Sequence, residues 1–260
     1  MSVRINTNID ALNAQRNLSM TSVAFSKSVE KLSSGLRINR AADDAAGLGI
    51  SETLRSQVNG LNQAVRNAQD GISLVQTGEG ALNEVSSMLQ RIRELAVQYN
   101  NGTNDANAQK SIQAEADALQ TTIDSIATNT KFNGVGLLDG VKTTVTLQVG
   151  ANSGETQDVK LSKLDTSAAD VADLSTIDAV IADVSTQRAT FGAAQNALEH
   201  TVNSLTVAAE NFTASESRIR DLDVASEMVK FTKTQILQQA GTAILAQANS
   251  APQSILTLLR

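Results

Sequence analysis

The sequence contains no cysteine, no tryptophan and only one proline among its 260 residues. Without cysteine there are no disulfides, and the redox compartment is left open. A single proline leaves almost nothing to interrupt helices. Aromatic residues make up 2% of the chain against 41% for all hydrophobic residues. The core must therefore be built from Ala, Val, Ile and Leu, which suits helices in close contact.

Residues with catalytic potential are equally scarce. His200 is the only histidine, so a zinc site built on two histidines is excluded, and no Ser-His-Asp set is indicated. We interpret His200 as a solvated helix residue and Asp43 or Asp44 as a helix cap rather than part of a carboxylate pair. The sequence thus predicts a protein that is not an enzyme, with no catalytic residue, no metal site and no cofactor.

The charge balance and hydropathy exclude further classes of partner. The formal net charge is −6, which argues against nucleic acid and against an anionic membrane surface. No apolar run approaches the length of a transmembrane helix. Residues 1–15 lack the apolar core of a secretory signal peptide, so we expect any export to use another route.

One long helical pattern organises the chain between Leu54 and Tyr99. Apolar residues recur there at intervals of three and four, the period of a helix that packs along one seam. Such a helix spans roughly 70 Å at 1.5 Å per residue. A stripe of that length cannot be buried inside a globular ball, so it requires partners of similar length.

Four other helices and one hairpin complete the pattern. The spacing predicts helices over residues 5–36, 112–126 and 177–219, and a last helix from Val224. Between them Val145, Leu147 and Val149 alternate with polar residues, which predicts a β-hairpin at about 143–161. Segment lengths therefore run medium, long, middle module, long, medium.

The fold class expected from this order is mainly α: an elongated antiparallel helical bundle or coiled coil with a small β-hairpin module between the two halves. Residues 1–36 and 224–260 form an inner domain of terminal helices, 37–53 and 220–223 are connectors, and 54–219 form a rod domain. The predicted inner-domain assembly seam comprises Leu18, Phe25, Val29, Leu32, Leu36, Leu237, Ile244, Ile255 and Leu258. The predicted rod seam comprises Val58, Leu61, Val65, Ile72, Phe191, Leu198, Leu205 and Phe212. Two terminal helices alone bury little surface, so we expect contact with other copies to order them.

Motifs at both ends carry a family resemblance. They are residues 32–39 (LSSGLRIN), 43–48 (DDAAGL), 90–98 (QRIRELAVQ), 132–134 (FNG), 208–211 (AAEN), 217–221 (SRIRD), 247–249 (QAN) and 258–260 (LLR). In this order they resemble bacterial flagellin. Many flagellins insert outer domains between the two halves, and only about residues 141–173 are available here. The sequence therefore resembles a minimal flagellin that lacks those domains.

The resemblance implies a structural subunit that polymerises into the extracellular filament of the bacterial flagellum and serves motility. It implies export through the flagellar type III apparatus, a cytoplasmic export chaperone and a filament cap as partners. It also implies that Arg91, Leu95 and Glu115 form one patch that contacts Toll-like receptor five in a host and a neighbouring copy in the filament. From the residues alone, ordinary helix surface is the simpler interpretation of that patch.

Two alternatives to the filament subunit stay open. A hook–filament junction protein shares the end signatures but does not form the long polymer, and the full C-terminal match favours the filament subunit over it. A soluble coiled-coil adaptor that binds helical partners is the second alternative. An adaptor has no need of two unsupported terminal helices of equal length.

Overall fold

The structure is a computed structural model that describes residues 7–166 and 170–258. Over these residues the chain forms α1 (Ile9–Ser34), α2 (Ala45–Tyr99), α3 (Ala106–Asn129), β1 (Lys131–Phe132), β2 (Val135–Gly136), β3 (Thr144–Gln148), β4 (Thr156–Lys160), α4 (Leu174–Arg220) and α5 (Val224–Leu258). Each pair of strands forms a two-stranded antiparallel sheet. The predicted mainly α class with a small hairpin module is confirmed.

Short polar side chains set where the helices begin. The side-chain oxygen of Asn8 accepts a hydrogen bond from the backbone N–H of Ala11 (3.0 Å), and Asp44 does the same for Gly47 (2.8 Å). Such caps satisfy backbone donors that have no partner inside the helix. Because Asp44 caps α2, that helix begins nine residues before the predicted Leu54. The predicted connector 37–53 is therefore wrong for residues 45–53, which are helical.

A glycine ends α1 before the predicted position. Gly35 adopts a φ of 71°, the left-handed conformation that closes many helices, and its N–H donates to the carbonyl of Lys31 (2.9 Å). The helix predicted over 5–36 therefore ends at Ser34.

The chain divides into two compact units. The terminal unit comprises Met1–Arg55 and Phe212–Arg260, and the central unit comprises Ser56–Asn211. The last turns of α4 belong to the terminal unit because they bond there: Arg220 Nη1 lies 2.6 Å from Glu52 Oε1, and Arg37 Nε donates to the carbonyl of Ile219 (3.1 Å). The predicted rod domain, 54–219, therefore extends eight residues too far at its second boundary.

The core of the central unit is built by three helices and the hairpin strands. α3 and α4 each run antiparallel to α2 within this unit: Arg91 pairs with Glu115, and Arg93 pairs with Asp178. The largest fully buried side chains are Leu82, Leu89, Ile92, Leu95, Ile123, Leu137, Leu138, Ile177, Phe191 and Leu198. As the composition predicts, nearly all of them are aliphatic.

Only one of the two hairpins was predicted from the sequence. β3 and β4 lie inside the predicted range, with Val145 opposite Val159. The short β1–β2 hairpin was not predicted as strands. Its two-residue turn is Asn133-Gly134, both with positive φ (48° and 80°), the conformation that tight hairpins require.

Two glycines on α2 lie where side chains of neighbouring elements pack directly against the helix backbone. A Cβ at Gly78 would lie 2.6 Å from Cε2 of Phe191 on α4, and a Cβ at Gly71 would meet Leu147 of β3. Since real side-chain carbons do not approach so closely, only glycine lets Phe191 and Leu147 pack against the α2 backbone.

In the terminal unit α1 and α5 pair antiparallel. Asn8 Nδ2 donates to the carbonyl of Ala248 near one end (2.7 Å), and Ser28 meets Glu227 near the other. The connecting segments also pair, because the N–H of Arg37 donates to the carbonyl of Arg220 (2.7 Å). Both segments that join the helix pair to α2 and α4 are therefore held together.

Candidate assembly interface

The α1–α5 seam follows a three-four repeat on both helices. Its partly or fully buried positions are Leu18, Thr21, Phe25, Ser28 and Leu32 on α1, and Glu227, Phe231, Thr234, Gln238, Gly241 and Leu245 on α5. The rings of Phe25 and Phe231 stack with centroids 5.1 Å apart. A Cβ at Gly241 would lie 3.7 Å from the Cβ of Leu18, so the two helices are in close contact there.

The predicted inner-domain seam is only partly right. Leu18, Phe25, Leu32 and Leu36 are half-buried, but Val29, Leu237 and Ile244 are 41%, 47% and 60% exposed. These three side chains do not lie in the contact between α1 and α5, and their part in assembly between copies stays a prediction. Leu237 and Ile244 each precede a seam residue by one position, which turns them about 100° around the helix. The predicted side chains of Ile255 and Leu258 lie outside the described residues.

The terminal unit exposes an unusual amount of apolar surface. Among the described residues, all exposed large hydrophobic side chains except Val97, Val141 and Val207 belong to this unit. We call the following set the outward apolar face: Ile9, Leu12, Met20 and Val23 on α1, with Val229, Ile236, Leu237 and Ile244 on α5. A shallow groove along α5 is lined by Met228, Val229, Thr232, Lys233, Ile236 and Leu237. Each helix of the pair therefore carries an exposed apolar stripe that is turned away from the other helix, and exposed apolar surface of this kind marks a site of protein association.

A buried carboxylate lies in the seam. Within the described part of the chain Glu227 is the single buried charged residue, 5% exposed, and it accepts a hydrogen bond from Ser28 Oγ (2.7 Å), itself 6% exposed. Lys230 Nζ lies 3.2 Å from its other oxygen. Burial alone raises the pKa of Glu227, but the hydrogen bonds from Ser28 and Lys230 outweigh burial and lower the pKa. The carboxylate is therefore ionised at neutral pH.

Sequence reasoning missed this pair. The signal was available, since Glu227 precedes Phe231 by four residues and Ser28 follows Phe25 by three. Both therefore share a helix face with a residue whose burial is expected.

The residues of the predicted rod seam are buried to different degrees. Leu61, Phe191 and Leu198 are buried. Val58, Val65, Ile72 and Leu205 are half-buried, and so is Phe212, which belongs to the terminal unit.

The structure exposes Arg91 and Glu115 of the predicted receptor patch but buries Leu95. Arg91 Nη2 lies 2.8 Å from Glu115 Oε1, and Arg91 Nη1 lies 3.0 Å from Glu94 Oε2, all on half-exposed side chains. The hydrogen bond to Glu115, then that to Glu94, raises the pKa of Arg91. Leu95 is only 1% exposed, so the prediction that it shares a surface patch with Arg91 is wrong. It lies in the core beside Ile92 and Ala96.

The described residues contain neither a metal site nor a membrane span. In residues 7–166 and 170–258, no three His, Asp or Glu side chains are grouped so as to hold a metal ion. None of the helices in this described part is both long and apolar enough to cross a membrane.

Comparison with known proteins gives a consistent result. The family profile "Bacterial flagellin N-terminal helical region" matches residues 5–143, and "Bacterial flagellin C-terminal helical region" matches residues 174–259. The chain is 52% identical to a flagellin of Halalkalibacterium halodurans, covering 98% of this chain and 99% of the relative. It is 47% identical to a flagellin of Bacillus subtilis, with 99% and 100% covered.

Two further similarities extend this result. The chain is 46% identical to the flagellar filament 33 kDa core protein of Treponema phagedenis, covering 98% of this chain and 99% of that protein. It also resembles the crystal structure of Bacillus cereus flagellin, with 36% identity and a TM-score of 0.50, over 58% of this chain and 94% of that one.

Proposed function

Because this chain belongs to the bacterial flagellin family, we propose that the outward apolar face of α1 and α5 joins its copies in the flagellar filament. The chain is a structural subunit of that filament, since relatives that match nearly its whole length are flagellins and a filament core protein. The junction protein and the adaptor are not favoured for the same reason. One observation carries the proposal: the exposed large apolar side chains are concentrated in the terminal unit.

Energetics support this assignment of the surface. Burying one Val, Leu, Ile or Met side chain stabilises a complex by about 1.5–3 kcal/mol relative to leaving it in water. Several such residues, at helical spacing on both α1 and α5, supply enough gain to offset the lost freedom of an associating subunit. The central unit has a core of its own and does not need this contact to fold.

Electron microscopy of the purified chain at rising salt concentration tests the function directly. Salts that strengthen apolar burial favour the polymer. We expect long uniform filaments. Soluble monomers or dimers at every salt concentration would contradict the proposal.

The exposed apolar surface of α5 also needs partners that cover it before and during assembly. We expect the chain to be secreted through the flagellar export apparatus and added beneath a cap at the filament tip. An export chaperone covers the apolar groove of α5 until then. Size-exclusion chromatography with light scattering on a mixture with the flagellar export chaperone tests the last point. Ile236→Asp must weaken the complex, and an unchanged complex would place the chaperone elsewhere.

Host recognition is a second proposed role, carried by the Arg91–Glu115 pair. The pair is exposed and links α2 to α3, so it offers a charged surface on the folded monomer. We expect Arg91→Ala to weaken both signalling through Toll-like receptor five and filament formation. Arg93→Ala is the matched control, because Arg93 is also half-exposed on α2 and pairs with Asp178.

A receptor reporter assay and a sedimentation assay on the same variants decide this proposal. If Arg91→Ala matches the parent in both assays, the pair is ordinary helix surface. Leu95→Ala is not a useful probe, because truncating a buried Leu destabilises the fold itself.

A further inference from the structure

The sequence contains three Asn-Gly pairs, at Asn59-Gly60, Asn101-Gly102 and Asn133-Gly134. An asparagine that precedes glycine can lose its side-chain amide without an enzyme, because glycine has no side chain to hinder attack by its own backbone nitrogen. The three pairs share this chemistry but lie in three different backbone environments. The structure therefore decides which of them reacts in the folded chain.

The reaction places two demands on the backbone. The glycine nitrogen attacks Cγ of the asparagine, the new N–C bond closes a succinimide ring, and ammonia leaves with the proton that the glycine nitrogen gives up. Water then opens the ring at either carbonyl and leaves aspartate or isoaspartate. Ring closure requires the glycine N–H to be free, and it requires the asparagine Cβ and the glycine nitrogen to eclipse about the Cα–C bond.

The first pair lies in the interior of α2, where the helix opposes the attack. The N–H of Gly60 takes part in the hydrogen bonding of the helix, and a helical ψ keeps the Cβ of Asn59 away from the next nitrogen. A Cβ at Gly60 would lie 2.9 Å from the Cβ of Ala151, so the loop between β3 and β4 packs against this turn of α2. Opening the helix here would also break that packing.

The tight turn between β1 and β2 opposes the attack as well. Asn133 has a φ of 48°, and in the left-handed conformation the Cβ and the next nitrogen lie on nearly opposite sides of the Cα–C bond. Lys131 pairs with Gly136 and Phe132 pairs with Val135, and Phe132 packs against the core. Turning the peptide bond after Asn133 into the reactive geometry would therefore break the hairpin.

The turn between α2 and α3 imposes neither restraint on Asn101 and Gly102. Both residues are exposed. Within the part of the chain that the structure describes, the N–H of Gly102 makes no hydrogen bond. The N–H of Asn101 donates to the carbonyl of Gln98, and its carbonyl accepts from the N–H of Asn104, both at 3.1 Å. Water can replace these exposed hydrogen bonds at little cost.

One contact in this turn favours the reaction. The N–H of Thr103 donates to Oδ1 of Asn101 (3.3 Å). When the glycine nitrogen adds to Cγ, negative charge develops on Oδ1, and a hydrogen-bond donor placed at that oxygen stabilises it. The turn thus offers a free nucleophile and a polarised carbonyl.

We propose that Asn101 is a site of spontaneous deamidation, and that the fold directs this modification to the α2–α3 turn and away from the two other Asn-Gly pairs. The product carries a carboxylate just after Tyr99, the last residue of α2. This inference concerns the folded chain alone and does not rest on assembly.

Peptide mapping by mass spectrometry tests the proposal on the full chain, incubated at low salt in a mildly alkaline buffer and sampled over time. The measured quantity is the rate at which each of the three asparagines is converted. We expect Asn101 to react at least about tenfold faster than Asn59 and Asn133, because a reaction that waits for a paired segment to open is slowed by the free energy of that opening. The same incubation in concentrated urea is the control, and there the three rates should lie close together.

Gly102→Ala is the matched variant. Gly102 is not among the residues with positive φ, and its chain neighbours aside no atom lies within 4 Å of an added Cβ, so the variant should fold. The added methyl group hinders the attack, and conversion of Asn101 should fall while the rates of Asn59 and Asn133 stay unchanged. Circular dichroism checks that the helices are retained.

Three outcomes overturn the proposal. The first is a rate at Asn59 or Asn133 that equals or exceeds the rate at Asn101 in the folded chain. The second is a preference for Asn101 that persists undiminished in urea, since the amino-acid sequence and not the fold would then direct the reaction. The third is undiminished conversion of Asn101 in Gly102→Ala.

Discussion

At the scale of single residues, Phe191 is the side chain on which the central unit depends most. It is fully buried on α4 and packs against the α2 backbone at Gly78. We expect Phe191→Ala to lower the free energy of unfolding by about 3–5 kcal/mol. Asn196→Ala, at an exposed position on the same helix, should change it by less than about 0.5 kcal/mol. Equal urea midpoints for the two variants would show that this core has been misassigned.

Two glycines that are two residues apart on α2 allow predictions of opposite sign. Gly78→Ala places a methyl group against the ring of Phe191 and should destabilise the protein by about 1–3 kcal/mol. At Gly80 no other atom lies within 4 Å of an added Cβ. Gly80→Ala should therefore stabilise the protein by about 0.5–1 kcal/mol, because glycine is the weaker helix former.

Thermal unfolding of both glycine variants measures the difference. The same sign of change for both would mean that α2 and α4 are not in close contact at Gly78.

The burial of Leu95 could not be predicted from the pattern of apolar residues alone. The sequence has two apolar stripes on α2 after Ala81, one with Ile92 and Leu95 and one with Leu89 and Ala96. All four of these residues are buried, because α3 and α4 cover α2 from two sides. A stripe identifies an apolar side chain, but only the number of neighbouring helices decides whether it meets solvent.

At the scale of elements, periodicity predicted the helices well and their contacts less well. α3, β3 and β4 occur where the spacing predicted them, whereas α2 begins earlier because Asp44 caps it. On α5 the apolar pattern indicated Leu237 and Ile244, and the structure uses the neighbouring stripe. A helix with two apolar stripes has two possible seams, and periodicity alone does not decide which of them packs against its neighbour.

Acid should weaken the pairing of α1 with α5. The folded-state pKa of Glu227 lies below its ordinary value of 4.5 because Ser28 and Lys230 outweigh burial. Its stabilisation is therefore complete above about pH 4.5 and is lost as the pH falls towards the folded pKa. The pKa of Asp178 is likewise lowered from 3.8 by the hydrogen bond from Arg93, but this pair is exposed to solvent and contributes little to the loss.

We therefore expect filaments to dissociate and melting temperatures to fall below about pH 4.5, and not between pH 7 and pH 5. Light scattering and thermal unfolding across this range are the measurements. Glu227→Gln should show a shallower fall than the parent, and Glu84→Gln, at an exposed position on α2, should follow the parent. Constant light scattering down to about pH 2, below ordinary carboxylate pKa values, would contradict this account.

Deleting residues 224–260 separates folding from assembly. The buried residues of the core cluster all lie within Ser56–Asn211, so the truncated chain should keep a cooperative unfolding transition. It should not form filaments, since the deletion removes half of the outward apolar face. Sedimentation and circular dichroism give both results on one sample. Filaments of normal diameter from the truncated chain would show that α5 is dispensable.

At the scale of the whole molecule, the chain spans nearly the full length of flagellins from Halalkalibacterium halodurans and Bacillus subtilis. Between the two family matches lie only residues 144–173, which hold the β3–β4 hairpin. The end motifs were enough to predict the family from the sequence. Which stripe of α5 stays exposed beside α1 was not predictable from the sequence, because both stripes of that helix carry apolar residues.

If copies join through the outward apolar face, one charge placed on that face must weaken assembly. Ile236→Asp places a carboxylate in the α5 groove, whereas Gln235→Asp places the same charge on the adjacent exposed residue outside the groove. The measurement is the critical concentration for filament formation, read by sedimentation at fixed salt. We expect at least a tenfold rise, about 1.4 kcal/mol, for Ile236→Asp and little change for Gln235→Asp. Equal critical concentrations for the two variants would contradict it.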